Sequence, residues 1–302
     1  MRITENSLAS SVLSSITQSL GRLARVQEKL ATTKNIVRPS DDPLGAGLVL
    51  RYQATAQGLE AFQRAIQTSR EFLGATETAL DRVSDLLTEA SKTGLRGANE
   101  VLDPPTRASL GRQIDQLLEE LVAQGNTRFA DRYVFGGTQT STPPFAVTRD
   151  ASGRITAVTP NPRGIGGTVA VGVAEGSSVQ ANLPGDQVFL QTTDLFGTLI
   201  GLRDALEADN TAGIVAANAA LGAGLSQVQA ATGVVGVRAQ RLDRVWAQNA
   251  QDLARIEECR SRVQDADVAE LYVEVQKMER AFQASLAAGS KALQASLLDY
   301  LR

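Results

Sequence analysis

Proline divides this chain more sharply than any other residue. All nine prolines lie between Pro39 and Pro184, so residues 1–38 and 185–302 contain none. A proline inside a helix removes a backbone donor and clashes with the preceding turn. A chain that confines its prolines to the middle can therefore carry long helices at both ends. The ends have the matching apolar rhythm. Leu13, Ile16, Leu20, Leu23, Gln27 and Leu30 follow one another at intervals of three and four, the spacing of a heptad seam. Val268, Leu271, Val275, Met278 and Phe282 repeat it near the C-terminus. That stripe then drifts through Leu286 and Leu293 to Leu297, as it would along a straight helix.

Both seams back onto neutral faces. No side chain between Asn6 and Gly21 is charged, and between Ala281 and Leu298 the single charge is Lys291. A helix face exposed to water normally carries charge. These faces are expected to be covered in the working state, by the other terminal helix and by neighbouring copies. Alone, such short seams are marginal.

Between the ends the punctuation is local. Arg38-Pro39-Ser40-Asp41-Asp42-Pro43 interrupts the first helix, with Asp42 suited to the N-cap and Pro43 to the first helical position of the next. A second helix is expected from about Leu44 to Arg96 on Ile66, Leu73, Leu80, Val83, Leu87 and Ala90. A third runs from about Thr106 to Asn126 on Leu110, Ile114, Leu117, Leu118 and Leu121. Tyr133–Thr138 reads as a short strand into a turn. Residues 141–190 hold five prolines, seven glycines and only six charges, with Thr168–Val173 a further strand; this is a small β-rich insert whose core would be marginal alone. Helix returns near Leu195, and another starts at Thr211 and extends toward Gln264 on Leu242, Trp246, Asn249, Leu253, Ile256, Arg260 and Val263. Gly213, Gly222, Gly224, Gly233 and Gly236 weaken its first half and allow a break there. The register skips at Asp265-Ala266-Asp267. The layout is nested and mainly α: a terminal helical domain of 1–42 plus 265–302, a helical rod of 43–140 plus 191–264, and the insert at 141–190.

Composition removes most chemistry. There is no histidine and a single cysteine, Cys259, which excludes His-based acid–base work, His-containing metal sites, a Cys/His dyad and an internal disulfide. A net charge of −3 argues against nucleic-acid binding. No run of roughly 18 consecutive apolar residues occurs, so no single-helix membrane span is expected. Met1–Asn6 lacks the basic and apolar regions of a secretory signal, so the expectation is either an internal protein or export by another route. Gly136-Gly137 and Arg163–Gly167 match no phosphate-loop pattern and read as turns. Asp265-Ala266-Asp267 lacks the Gly and Glu of a calcium loop. Glu119 and Glu120 are adjacent on a helix and point apart. Cys259 reads as a packed small hydrophobe and Trp246 as a core anchor. No catalytic, cofactor-binding or metal-ligating residue is assigned.

Four motifs then carry a resemblance. Met1-Arg2-Ile3-Thr4 resembles the start of bacterial flagellins and their relatives. Arg38-Pro39-Ser40-Asp41-Asp42-Pro43-Leu44-Gly45 resembles that family's break after the N-terminal helix, and Ser261–Ala269, with Asp265 and Asp267, resembles the matching C-terminal break. Leu297-Leu298-Asp299-Tyr300-Leu301-Arg302 is similar to the family's C-terminus. Within the family, Asn126–Thr140, Ser141–Phe145 and Pro184–Phe189 resemble the hook–filament junction type more than filament flagellins, although Ala130-Asp131 departs from the commoner form.

The resemblance implies an elongated helical bundle with paired terminal coiled-coil helices. It implies export by the flagellar type III apparatus without a cleaved signal, with a flagellar export chaperone as a partner. It further implies an extracellular, non-enzymatic, cofactor-free subunit of a homo-oligomeric ring of about eleven copies. That ring would meet the first junction protein on one side and flagellin on the other, with the filament cap present during assembly. The apolar seam residues named above, Leu13 to Leu30 and Val268 to Leu297, are the expected assembly interface. Two alternatives are a minor filament flagellin and, in a different class, a surface-binding module built on the insert. The insert's few rings, Phe145 and Phe189, disfavour a sugar site.

Overall fold

The computed structural model describes the backbone of residues 5–300 and the side chains of residues 10–291. Seven helices appear among them: α1 Glu5–Thr32, α2 Pro43–Gly97, α3 Pro104–Gly125, α4 Gly185–Phe189, α5 Leu195–Glu207, α6 Thr211–Gln264 and α7 Val268–Tyr300. Three antiparallel hairpins fill the space between α3 and α4. They pair β1 Arg128–Phe129 with β2 Arg132–Tyr133, β3 Phe145–Arg149 with β4 Ile155–Pro160, and β5 Ala170–Ala174 with β6 Ser177–Gln180. The chain forms two compact units. One comprises residues up to Gly58 and from Gln251 onward, and the other is Leu59–Ala250.

The second unit holds the larger core. The stripes expected on α2 and α3 are buried there, joined by Leu195, Leu199, Leu202 and Leu206 of α5. On α6 the buried positions Ile214, Leu221, Val228, Val235, Leu242 and Asn249 recur every seven residues. This stripe explains why α6 does not break in its glycine-rich half. Each mid-helix glycine costs up to about 1 kcal/mol, whereas burying one Val, Leu or Ile side chain is worth about 1.5–3 kcal/mol. One of these glycines serves packing: a Cβ at Gly224 would come within 2.4 Å of Leu195 Cδ2, so that the leucine would have to move. The rest of the expected α6 seam is less enclosed. Leu253, Ile256, Arg260 and Val263 are half-buried. Trp246 is 39 % exposed and lies beneath the Arg70 guanidinium, 5.8 Å from the ring centre, instead of anchoring the core.

The β-rich segment has no core of its own. Phe145, Ile155, Val173, Val179, Val188 and Phe189 are buried in the same cluster as α2, α3, α5 and α6. Phe189 meets Phe135 at 5.2 Å, Phe145 at 5.0 Å and Phe196 at 5.2 Å between ring centres. Buried Arg203 of α5 adds a polar tie, donating to Ile155 O at 2.6 Å, Asp115 Oδ1 at 2.8 Å and Asp204 Oδ1 at 2.8 Å. Burial works against its charge, and the two carboxylates outweigh that and hold it protonated. On α6, buried Asn249 donates to Val173 O at 2.9 Å and so clamps β5.

The expected strand at Tyr133–Thr138 shortens to Arg132–Tyr133. After it, the two glycine loops close on each other, with Thr138 N donating to Gly164 O at 2.9 Å. Gly137 and Gly164 have φ of 59° and 88°, the left-handed region that favours glycine, so both loops are turns. Glu119 does not pair with Glu120; it accepts from Arg149, with one contact of 2.8 Å.

Candidate assembly interface

The site is built within the first unit, from two helix breaks and two helices. At the first break, Asp42 Oδ1 accepts from Leu44 N at 3.1 Å and Gly45 N at 3.0 Å, the N-cap expected for α2. Asp41 accepts from Arg38 N at 2.9 Å, and chiefly that hydrogen bond holds its carboxyl below the usual carboxylate range. Arg38 in turn donates to both oxygens of Glu28, at 2.9 and 3.1 Å. At the second break, Asp267 Oδ1 accepts from Ala269 N at 2.8 Å and caps α7, while Asp265 accepts from Ser261 Oγ at 2.6 Å. The two breaks also join each other. Asn35 N donates to Gln264 O at 2.7 Å and Ala266 N to Thr33 O at 3.0 Å, around a bridge between Lys34 and Asp265. Each break caps the helix that follows it, and the two are joined through Thr33–Ile36 and Gln264–Ala266; α1 itself ends at Thr32, before Arg38 is reached. Pro39 and Ser40 lie on the exposed turn just before α2.

That bridge starts an antiparallel pair. Leu23 and Val26 of α1 are buried against Leu271 and Val275 of α7, with Leu30, Met278 and Phe282 packed at the edge. Further along, α7 presents Gly289 to Val12 and Ile16. A Cβ there would come 2.9 Å from Val12 Cγ1 and 3.2 Å from Ile16 Cδ1, so the missing side chain permits the close approach. The α1 face turned to α7 is thus Val12, Ile16, Leu23, Val26 and Leu30. Sequence spacing named three of these and missed Val12 and Val26, which lie in the neighbouring column. The α7 column runs from Leu271 to Gly289, not through Leu286.

The remaining seam residues face outward. Leu13 is 62 % exposed, Leu20 51 %, Val268 50 % and Leu286 44 %. Tyr272 and Val273, which the spacing did not single out, are also exposed. The side chains of Leu293 and Leu297 lie outside the described residues, as do the structures of Met1–Thr4, Leu301 and Arg302. Among the described residues four buried side chains form the core of this helix pair, which is small. The outward apolar residues are the surface a neighbouring molecule can bury. Among the described residues no group of three His, Cys, Asp or Glu side chains stands together as metal ligands do.

Known proteins resemble this chain in sequence and in fold. Residues 3–140 match the bacterial flagellin N-terminal helical region. Flagellar hook-associated protein 3 of Escherichia coli K12 is 31% identical over 149 residues, 48% of this chain and 46% of that protein. The chain thus spans about half the length of the curated relatives it matches. Flagellar hook associated protein-3 of Legionella pneumophila has a similar fold, with a TM-score of 0.62 at 14% identity over 71% of this chain and 98% of that one. So does the flagellar junction protein FlgL of the same organism, with a TM-score of 0.58 at 15% identity over 72% and 99%. The chain is thus similar to the bacterial flagellin N-terminal helical region over residues 3–140 and, over about half its length, to flagellar hook-associated protein 3.

Proposed function

We propose that this chain is a structural subunit of the bacterial flagellum that forms the ring joining the hook, through the first junction protein, to the flagellin filament. The observation that carries the reading is the terminal helix pair. It buries one face internally and leaves Leu13, Leu20, Val268, Tyr272, Val273 and Leu286 on its outside, where water alone is a poor partner. A subunit that completes its fold by packing against neighbours has this character. The similarity to hook-associated proteins and the stretch Asn126–Thr140 support the junction position over the filament shaft.

In this reading 1–42 with 265–302 forms the inner helical domain, 43–140 with 191–264 the rod, and 141–190 an outer insert. The chain is exported through the flagellar type III apparatus, works outside the cell and has no enzymatic activity. Its role is mechanical, joining a flexible hook to a stiffer filament. Immunogold electron microscopy of intact flagella, with an antibody against 150–167, tests it. One band at the hook end of the filament is the expected result. Label along the whole shaft would make the chain a filament flagellin, and flagella without label would remove the reading.

A further inference from the structure

The second unit carries two features that its fold does not use. The first is a half-open groove of about 290 Å³ between α2, the β1–β2 hairpin and β5. Its walls are apolar, with Ala65, Phe72, Phe129, Val169 and Val171, and Arg132 lines its edge. The Arg132 guanidinium lies 5.6 Å from the Phe72 ring centre and makes no ion pair among the described residues. Asp131 on the same hairpin is already taken by Arg128, at 3.5 Å. The groove is thus apolar inside and cationic at its rim.

The second feature is a knob of the opposite character. Val101, between α2 and α3, is 93 % exposed, and its neighbour Glu100 is exposed and makes no ion pair among the described residues. The knob is held in place, not loose. Buried Arg107 donates to Gly97 O at 2.9 Å and Asn99 O at 2.8 Å, and pairs with Asp209. Asn99 Oδ1 accepts from Val101 N at 3.1 Å. An ordered apolar side chain loses little entropy on docking.

We infer that Val101 of one copy seats in the groove of a second copy, with Glu100 against Arg132. The inference rests on the assembly reading above and names a contact within it. The groove lies along Ala65–Phe72 and the knob follows Gly97. At 1.5 Å per residue they are separated by about 40 Å of α2, so a copy cannot fill its own groove. Two unlike patches give a head-to-tail contact, which propagates into rings or helical arrays and does not close as a dimer.

The test is cross-linking in a Cys259→Ser background, with Val101→Cys and Thr68→Cys at the groove, using a short bismaleimide. It is run on isolated hook–filament particles and on the concentrated purified chain. A ladder of covalent dimers and higher oligomers that requires both cysteines is expected. Glu100→Arg or Arg132→Glu alone should abolish the ladder, and the two together should restore it. Glu100→Arg lies on an exposed loop and keeps the test independent of any damage to the hairpin. No ladder in either sample would overturn the contact, while an antibody band at the hook end would leave the junction reading standing. A dimer formed by Val101→Cys alone would also overturn it, since like patches would then be meeting. A ladder in purified chain from cells whose flagella carry no antibody label would keep the contact and sink the junction reading.

Discussion

Phe189→Ala tests whether the β-rich segment and the helices share one core. The Phe189 ring is fully buried and touches three other rings at 5.0–5.2 Å. Truncating a buried Phe costs about 3–5 kcal/mol. Each aromatic pair is worth about 0.5–1.5 kcal/mol beyond its buried area, which puts this site at about 4 kcal/mol. For a unit the length of Leu59–Ala250, 1 kcal/mol moves the melting midpoint by about 2–4 °C, so the expected drop is about 8–16 °C. Trp246 is the single tryptophan and lies on α6 in that unit, so its fluorescence reports unfolding of the helices there. Fluorescence and far-ultraviolet circular dichroism should shift together. Phe196→Ala combined with Phe189→Ala should cost less than the sum of the two, because the rings stack. Val101→Ala, at an exposed position, should stay within about 0.5 kcal/mol of the parent. A Trp246 midpoint within about 2 °C of the parent in folded Phe189→Ala would refute the shared core and make residues 141–190 an independent domain.

Other outcomes follow from the terminal helices and the surface ion pairs. Leu20→Asp should leave the Trp246 melt unchanged and block incorporation into flagella, whereas Phe282→Asp should block incorporation and also loosen the α1–α7 pair; normal filaments in Leu20→Asp would take the outward face out of the interface. Asp42→Ala should cost about 1 kcal/mol through the lost N-cap. Hydrogen exchange should quicken at the Leu44 and Gly45 amides, and unchanged exchange there would assign the cap elsewhere. The hydrogen bonds from Arg149 hold the Glu119 carboxyl below its ordinary value of 4.5. A carboxylate whose folded value is depressed stabilises above the unfolded value, and that contribution disappears as pH falls through the folded one. Both partners are partly exposed, so the effect is a few tenths of a kcal/mol. The stability gap between the parent and Glu119→Gln should shrink below about pH 4.5; a gap unchanged at pH 3 would exclude the pair as its source.

Residues acting on their immediate neighbours were legible from sequence alone. Pro43 and Asp42 start α2 because a fixed φ and a side-chain acceptor act within one turn. The stripes of α2 and α3 read correctly because one face is apolar and the opposite face of α2 carries Glu71, Glu77, Asp81 and Asp85, which mark the side facing water. The four terminal and break motifs were enough to suggest the family. The columns of α1 were harder to choose between. With no charge from Asn6 to Gly21, nothing local distinguishes Leu13 and Leu20 from Val12 and the seam beside them. The choice falls to Gly289, Leu271 and Val275, more than 200 residues away in sequence.

The unbroken α6 and the place of Trp246 share that cause. Local propensity counts the cost of each glycine, but the gain from Ile214 to Leu242 exists only once α2 and α5 supply the opposite wall. The insert likewise looks too small for a core because its sequence cannot show that Phe145 and Phe189 will meet Phe196 of α5. The starts of α2 and α7 are readable in the sequence alone, since caps and prolines act over a few residues. Which faces are covered, and by what, was decided only by tertiary structure, because burial belongs to pairs of surfaces brought together from distant parts of the chain.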